Sequence, residues 1–229
     1  MSTRTVNWTA LQDATPSPEG LRERKKRLMR QQLSDTATEM FIERGFDAVR
    51  VSEIAEACGV SEKTVFNYFP TKESLVLDLG EATLNALNDL ADPKSPPVET
   101  AVRILNEQLQ AITTWLSAQE NAAEAINKFR QFGTLVAQTP ALRAHQRDMT
   151  DKLVTAAAQI LATRLNQDTN DPEPQIAAVA LLGLWQVQFQ ALRKHLDANQ
   201  TPEEIAKAVT ADVQRAANTI NKGLTTLGK

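Results

Sequence analysis

At 229 residues and 25.2 kDa the chain can bury a sizeable core, in one domain or two. Hydrophobic residues at 42% and charged residues at 23% are ordinary for a soluble globular protein, and the net charge of −3 excludes a global attraction to nucleic acid, leaving only a local one. Cys58 is the only cysteine, which excludes an intrachain disulfide and fits a reducing cytoplasm.

Residues 1 to about 17 are polar and non-periodic, with Trp8 and Leu11 isolated, and lack the apolar core of a signal peptide. Ser17-Pro18 suits a helix start, hydroxyl at the cap and proline at the first position. That helix extends to Arg44 on an inner stripe of Leu33, Ala37, Met40 and Phe41. From Leu21 to Arg30 six basic residues, Arg22, Arg24, Lys25, Lys26, Arg27 and Arg30, face one acid, Glu23. Such a stretch suits a phosphate backbone, or else forms a solvated helix face. Gly45 ends the helix and Phe46 packs back.

The stretch from Val51 to Lys72, VSEIAEACGVSEKTVFNYFPTK, organises the chain. Val51, Ile54, Ala55 and Cys58 recur at i, i+3, i+4 and i+7, the spacing of a short amphipathic helix. Gly59 accepts the left-handed conformation that stops it. Ser61 is a natural N-cap for a second helix, with Val65 and Phe69 inward and Glu62, Lys63, Thr64, Asn67 and Tyr68 outward. Pro70 ends that helix. Two short helices about a glycine turn are a helix-turn-helix, whose second member enters the DNA major groove.

Thr71 caps a fourth helix carrying Lys72, Glu73, Leu75, Val76 and Leu79 towards Leu90. ADPKSPP, with three prolines within five positions, breaks the chain there. Further helices fit Val98 to Ala118, Glu120 to Ala137, and Thr139-Pro140 to about Asn166. Asn166 to Pro174 and Ala198 to Pro202 read as loops, the second ending in a Thr201 cap. From Ile176 to Leu196 the helix is apolar on two sides. Ile176, Val179, Ala180, Gly183, Leu184, Val187 and Ala191 line one, and Leu181, Trp185, Phe189, Leu192 and Leu196 the other. Both sides need covering, either by a second copy or by a larger single core. With a last helix bearing Ile205, Val209, Val213, Ala216, Ile220 and Leu224, a second copy completes a four-helix bundle. No window alternates as strands do, so the fold class is all-α, with about nine helices. The longest apolar run, Ile176 to Trp185, is half the ~20 residues of a membrane span, so a membrane is not expected as a partner.

The string GVSEKTVFNYFPTKESL closely resembles the DNA-binding signature of the TetR family of bacterial transcription regulators, GVSxxTxYxHFxxKExL in outline. The resemblance covers roughly Leu21 to Leu75. It implies a flexible arm (1–20), a three-helix DNA-binding domain (21–72) and a helical ligand-binding and dimerisation domain (73–229). The partners implied are double-stranded palindromic operator DNA, a second copy through the last two helices, and a small-molecule effector, with repression as the family norm. Arg4 in the arm is a minor-groove candidate or part of an inert tail. Glu62, Lys63 and Asn67 become candidate base readers, since Lys donates to guanine, Glu accepts from cytosine N4 and Asn pairs with adenine or else bonds a phosphate. Thr64, Tyr68, Ser52, Ser61, Arg50 and Lys72 become candidate phosphate contacts.

Two positions depart from the pattern. Phe66 stands where the family commonly has tyrosine, which removes one hydroxyl from the interface. Arg50 stands where a threonine often caps the first hairpin helix.

The family keeps its effector pocket in the C-terminal helices, so Trp115, Phe129, Phe132, Trp185 and Phe189, with His145 and Gln186 as polar contacts, are candidate lining residues. The set carries no formal charge and fits an apolar or aromatic ligand, although aromatics at helical spacing also serve as plain core. No cofactor or metal is indicated. His145 and His195 lack partners at ligand spacing, and HExxH, GxSxG, P-loop and GxGxxG motifs do not occur, so no enzyme is expected.

Overall fold

A computed structural model describes residues 20–78, 80–197 and 199–223, without the side chains of 80–82. The arm, the Ser17-Pro18 start, Leu79 and Leu224 lie outside the described residues. These form nine α-helices and no strand, as an all-α chain requires. The helices are α1 (Leu21–Arg44), α2 (Val51–Ala57), α3 (Glu62–Tyr68), α4 (Gly80–Leu87), α5 (Pro97–Ser117), α6 (Ala122–Gln138), α7 (Pro140–Leu165), α8 (Pro172–His195) and α9 (Pro202–Lys222). Two 3-10 turns lie at Glu73–Leu75 and Asn88–Ala91. Contacts group the chain into two units, one of residues up to 79 with 128–146, the other of 80–127 with 147–229.

In the first unit, α1 starts from an N-cap at Gly20, whose carbonyl accepts from Arg24 N–H. Leu33, Ala37 and Phe41 of α1 are wholly buried, and Ile54, Ala55, Val65 and Phe69 close the same core. Gly45 turns at φ +89°, which brings Phe46 back onto Phe41 at a ring-centroid distance of 4.9 Å. Burial of each of the leucine, isoleucine, valine and phenylalanine side chains is worth about 1.5–3 kcal/mol, and this core holds two short helices against the long α1.

Arg30 takes a different role from the basic stretch around it. Its guanidinium donates to the Tyr68 carbonyl at 2.6 Å, lies 4.5 Å from the centroid of the Phe69 ring, and pairs with Asp78. It locks α1 to the end of α3 and so leaves the candidate phosphate surface, while Arg22, Arg24, Lys25 and Lys26 stay exposed.

The fourth helix expected from Thr71 to Leu90 is broken. Thr71 and Ser74 cap one another reciprocally, and only a 3-10 turn follows, before helix resumes at Gly80. Two carbonyls that a continuous helix offers to its own N–H groups accept side chains instead. Ser34 Oγ donates to Leu75 O at 2.8 Å, and His145 Nε2 lies 3.2 Å from Leu77 O. A carbonyl only accepts, so the His145 proton sits on Nε2. Glycine at position 80 further weakens helix there, by about 1 kcal/mol relative to alanine.

In the second unit α8 packs against α5 and α9. It begins at Pro172, three residues inside the loop expected to reach Pro174, with Asp171 as N-cap. Prolines at 172 and 174 are tolerated because first-turn N–H groups have no helical partner to lose. Ala178, Leu181, Leu182, Leu184, Ala191 and Leu192 turn inward, whereas Ile176 and Val179 are 66% and 54% exposed. By length and composition α8 is the one described helix able to cross a membrane. Packing of its inward face on α5 and α9 accounts for part of that apolarity.

Asp212 of α9 ties the end of α8 down. It accepts from His195 Nε2 at 3.0 Å and Arg215 at 2.5 Å, with Lys194 at 3.5 Å. The His195 hydrogen bond, then the Lys194 and Arg215 charges, hold its carboxyl below the usual range against the opposing effect of burial. Thr201 and Glu204 form a capping box at the start of α9. Arg164 of α7 donates to the carbonyls of Leu90 and Asp92, closing the second 3-10 turn.

Candidate nucleic-acid interface

The first hairpin helix is capped from within. Glu53 Oε2 accepts from Arg50 N–H at 2.8 Å and Oε1 from Arg44 at 2.7 Å. The backbone donor first, then Arg44, hold the Glu53 carboxyl below its ordinary value. Glu53 thus supplies only the N3 half of a capping box, satisfying the Arg50 N–H, and the Arg50 side chain, which has no acceptor to cap with, stays exposed.

At the turn, Gly59 adopts φ +68°, and Val60 N–H closes back to Ala55 O at 2.9 Å. Cys58 is buried beside it, and burial pushes its thiol up against a smaller opposing hydrogen bond from Thr36, which keeps it a protonated packing group. Ser61 Oγ accepts Thr64 N–H at 3.1 Å and shares a hydrogen with Thr64 Oγ1 at 2.8 Å. The two hydroxyls form one pair, and a pair has a single spare proton to offer a phosphate.

Val65 and Phe69 anchor α3 at 0% and 1% exposure, and this fixes which face turns outward. Glu62, Lys63 and Asn67 are exposed, and no hydrogen bond or ion pair engages them among the described residues. Ser52 is exposed as well, and Tyr68 is half-buried. Phe66, read in the sequence only as a lost hydroxyl, stands 43% exposed on the same helix. Its ring offers an apolar contact of the kind that reads a thymine methyl.

Lys72 departs from expectation. Its ammonium donates to Phe46 O at 2.5 Å and lies 4.4 Å and 5.3 Å from the ring centroids of Phe46 and Phe41. Burial lowers its pKa, and the charges of Asp47, Glu73 and Glu53 oppose that. The side chain is spent inside the first unit, so phosphate contact through this ammonium is not what the structure presents.

The candidate effector residues do not assemble within one unit. Phe129, Phe132 and His145 fall in the first, where the two phenyl rings lie 6.1 Å apart and His145 holds Leu77. Trp115, Trp185, Gln186 and Phe189 fall in the second. Gln186 is exposed, whereas Gln188, which the sequence reading passed over, is 4% exposed. The helical register held the signal, because 185, 188, 189 and 192 share a face and 186 does not. Among the described residues no group of three or more His, Cys, Asp or Glu could hold a metal ion.

Two family models match separate parts of this chain, together 162 of its 229 residues. Residues 33–79 match the bacterial regulatory proteins of the tetR family, and residues 107–221 match the MftR C-terminal domain. The chain belongs to the TetR family of transcriptional regulators. The HTH-type transcriptional regulator TcmR of Streptomyces glaucescens is 29% identical over 164 residues, covering 69% of this chain and 70% of that protein. MftR of Mycobacterium tuberculosis is 28% identical over 152 residues, covering 66% and 73%. Crystalline NalD of Pseudomonas aeruginosa, the secondary repressor of the MexAB-OprM multidrug efflux pump, shares the fold with a TM-score of 0.50. It is 21% identical over 83% of this chain and 97% of its own. As a TetR-family regulator the chain is a DNA-binding protein, and the helix-turn-helix of α2 and α3 is its DNA-binding element.

Proposed function

We propose that the protein is a homodimeric repressor that binds a palindromic operator and is released from it by a small apolar or aromatic molecule held in the C-terminal helices. The observation that carries this reading is the outer face of α3, where Glu62, Lys63 and Asn67 project without side-chain partners among the described residues from a helix anchored by Val65 and Phe69. Lys63 and Glu62 at the start of the helix reach base edges, and Asn67 lies one turn on. Arg50, Ser52, Ser61, Thr64 and Tyr68 contact phosphates. Two-fold symmetry through α8 and α9 sets the two α3 helices ~34–36 Å apart, one turn of DNA. Residues 21–72 act as the DNA-binding domain and 73–229 as the regulatory one, in the cytoplasm and without enzymatic activity. An effector that favours one arrangement of the two heads by ~1–3 kcal/mol changes operator affinity 5–150-fold.

Gel shift of the full chain on the DNA upstream of its own gene, at several salt concentrations, tests this. A discrete dimer complex, with affinity falling steeply in salt, is expected. Equal affinity for unrelated DNA of the same length sinks the specific-operator reading.

A further inference from the structure

We infer that the second unit binds a neutral, carboxamide-like small molecule through Trp185 and Gln188, the indole N–H donating to it and the glutamine amide oxygen accepting from it. This inference rests on the effector-release reading above and names the chemistry of that effector. The indole Nε1 of Trp185 and the Oε1 of Gln188 are both buried without a hydrogen-bond partner among the described residues. Gln188 is 4% exposed, and its Nε2 donates to Leu105 O on α5 at 3.1 Å. The Leu105 carbonyl can only accept, so the atom facing it is the nitrogen and the unpartnered atom is the oxygen.

Buried polar groups are satisfied in the great majority of native proteins, and an unpaired one costs stability for as long as it stays unpaired. Here two occur one turn apart on one helix, and they are of opposite kind, a donor and an acceptor. Both lie on the inward side of α8, away from exposed Ile176 and Val179, so a second copy on that outer stripe does not satisfy them. A ligand that does so carries both an acceptor and a donor. A carboxamide supplies both, and so does no hydrocarbon.

The surroundings argue for neutrality. Between Pro174 and Leu192 α8 has no charged residue, and the buried face of α9 is Ile205, Val209, Val213 and Ala217. A charged ligand loses its hydration there without a counter-charge to replace it.

The test uses the 229-residue protein, with benzamide and 2-naphthamide as probes, benzoate and naphthalene as controls, and thermal shift and calorimetry as readouts. The amides are expected to raise the melting temperature and bind more tightly than naphthalene, and benzoate is expected not to bind. Trp185→Phe and Gln188→Met are each expected to weaken amide binding by at least about tenfold, while leaving naphthalene unaffected. If one of these variants does not fold, the comparison of amide with hydrocarbon on the unaltered protein still decides. Naphthalene binding as well as its amide, variants binding the amide like the parent, or no amide binding at all each overturns the inference; the last outcome assigns the two atoms to bound water. Operator gel shift on the same samples separates the two readings. Amide binding that leaves the operator complex intact overturns release while the site stands. Release by another compound, unaffected in both variants, overturns the site while regulation stands.

Discussion

The ammonium of Lys72 donates to the carbonyl of Phe46, 26 residues earlier, and so joins the segment after α3 to the turn after α1. A hydrogen bond from a charged donor is worth about 1.5–3 kcal/mol, and a partly desolvated cation over an aromatic ring adds roughly 0.5–2 kcal/mol. Lys72→Met is therefore expected to lower stability by about 1–3 kcal/mol, a few degrees in melting temperature for a chain of this size. Operator and non-operator DNA should weaken together, with the salt slope of binding unchanged. An unaltered melting temperature combined with a slope shallower by about 1 would return Lys72 to the phosphate backbone.

Lys63 and Phe66 are expected to decide which operator is preferred. Each good base contact discriminates by about 1–3 kcal/mol, so Lys63→Ala should relax preference at one or two positions by roughly 5–150-fold. Phe66→Ala should do so where the operator has thymine. Selection of binding sites from a randomised pool gives the answer, and identical consensus sequences for parent and variants would remove both residues from base readout.

Asp212 gives the second unit a definite pH dependence. Its carboxyl is held below the usual range when folded, so the unfolded chain takes up the proton at higher pH than the folded one. The stability it contributes is present above the ordinary carboxylate range and is lost as pH falls through the lowered value. Asp212→Asn should therefore melt below the parent at neutral pH, with the gap closing in acid. A gap independent of pH would show that the carboxylate charge is immaterial.

The outer stripe of α8 is expected to bury against a second copy. Val179→Glu places a charge on a side chain that is 54% exposed in the single chain, so the monomer should keep its fold. Sedimentation should show loss of the dimer, and operator affinity should fall with it, since two half-sites are then bound independently. A stable dimer in this variant moves the interface elsewhere.

The hairpin was legible in the sequence because its signals are local. Gly59, Ser61 and Pro70 each act on their own neighbours, and α3 is bounded by two of them. The fate of Lys72, Arg30 and the fourth helix was not legible, because each depends on groups brought from afar. Ser34 reaches Leu75 across 41 residues and His145 reaches Leu77 across 68, and no periodicity encodes such a meeting. Gln186 and Gln188 show a different limit. Both are glutamines in one helix, and only the phase of its apolar stripe tells the exposed one from the buried one.

Glu53 closes α2 from inside that helix's own first turn. The backbone of position 50 holds the helix start on both its N–H and its carbonyl, while its guanidinium faces solvent. Exchange of residue 50 therefore tunes how hard the protein grips the phosphate backbone and leaves the choice of operator to α3.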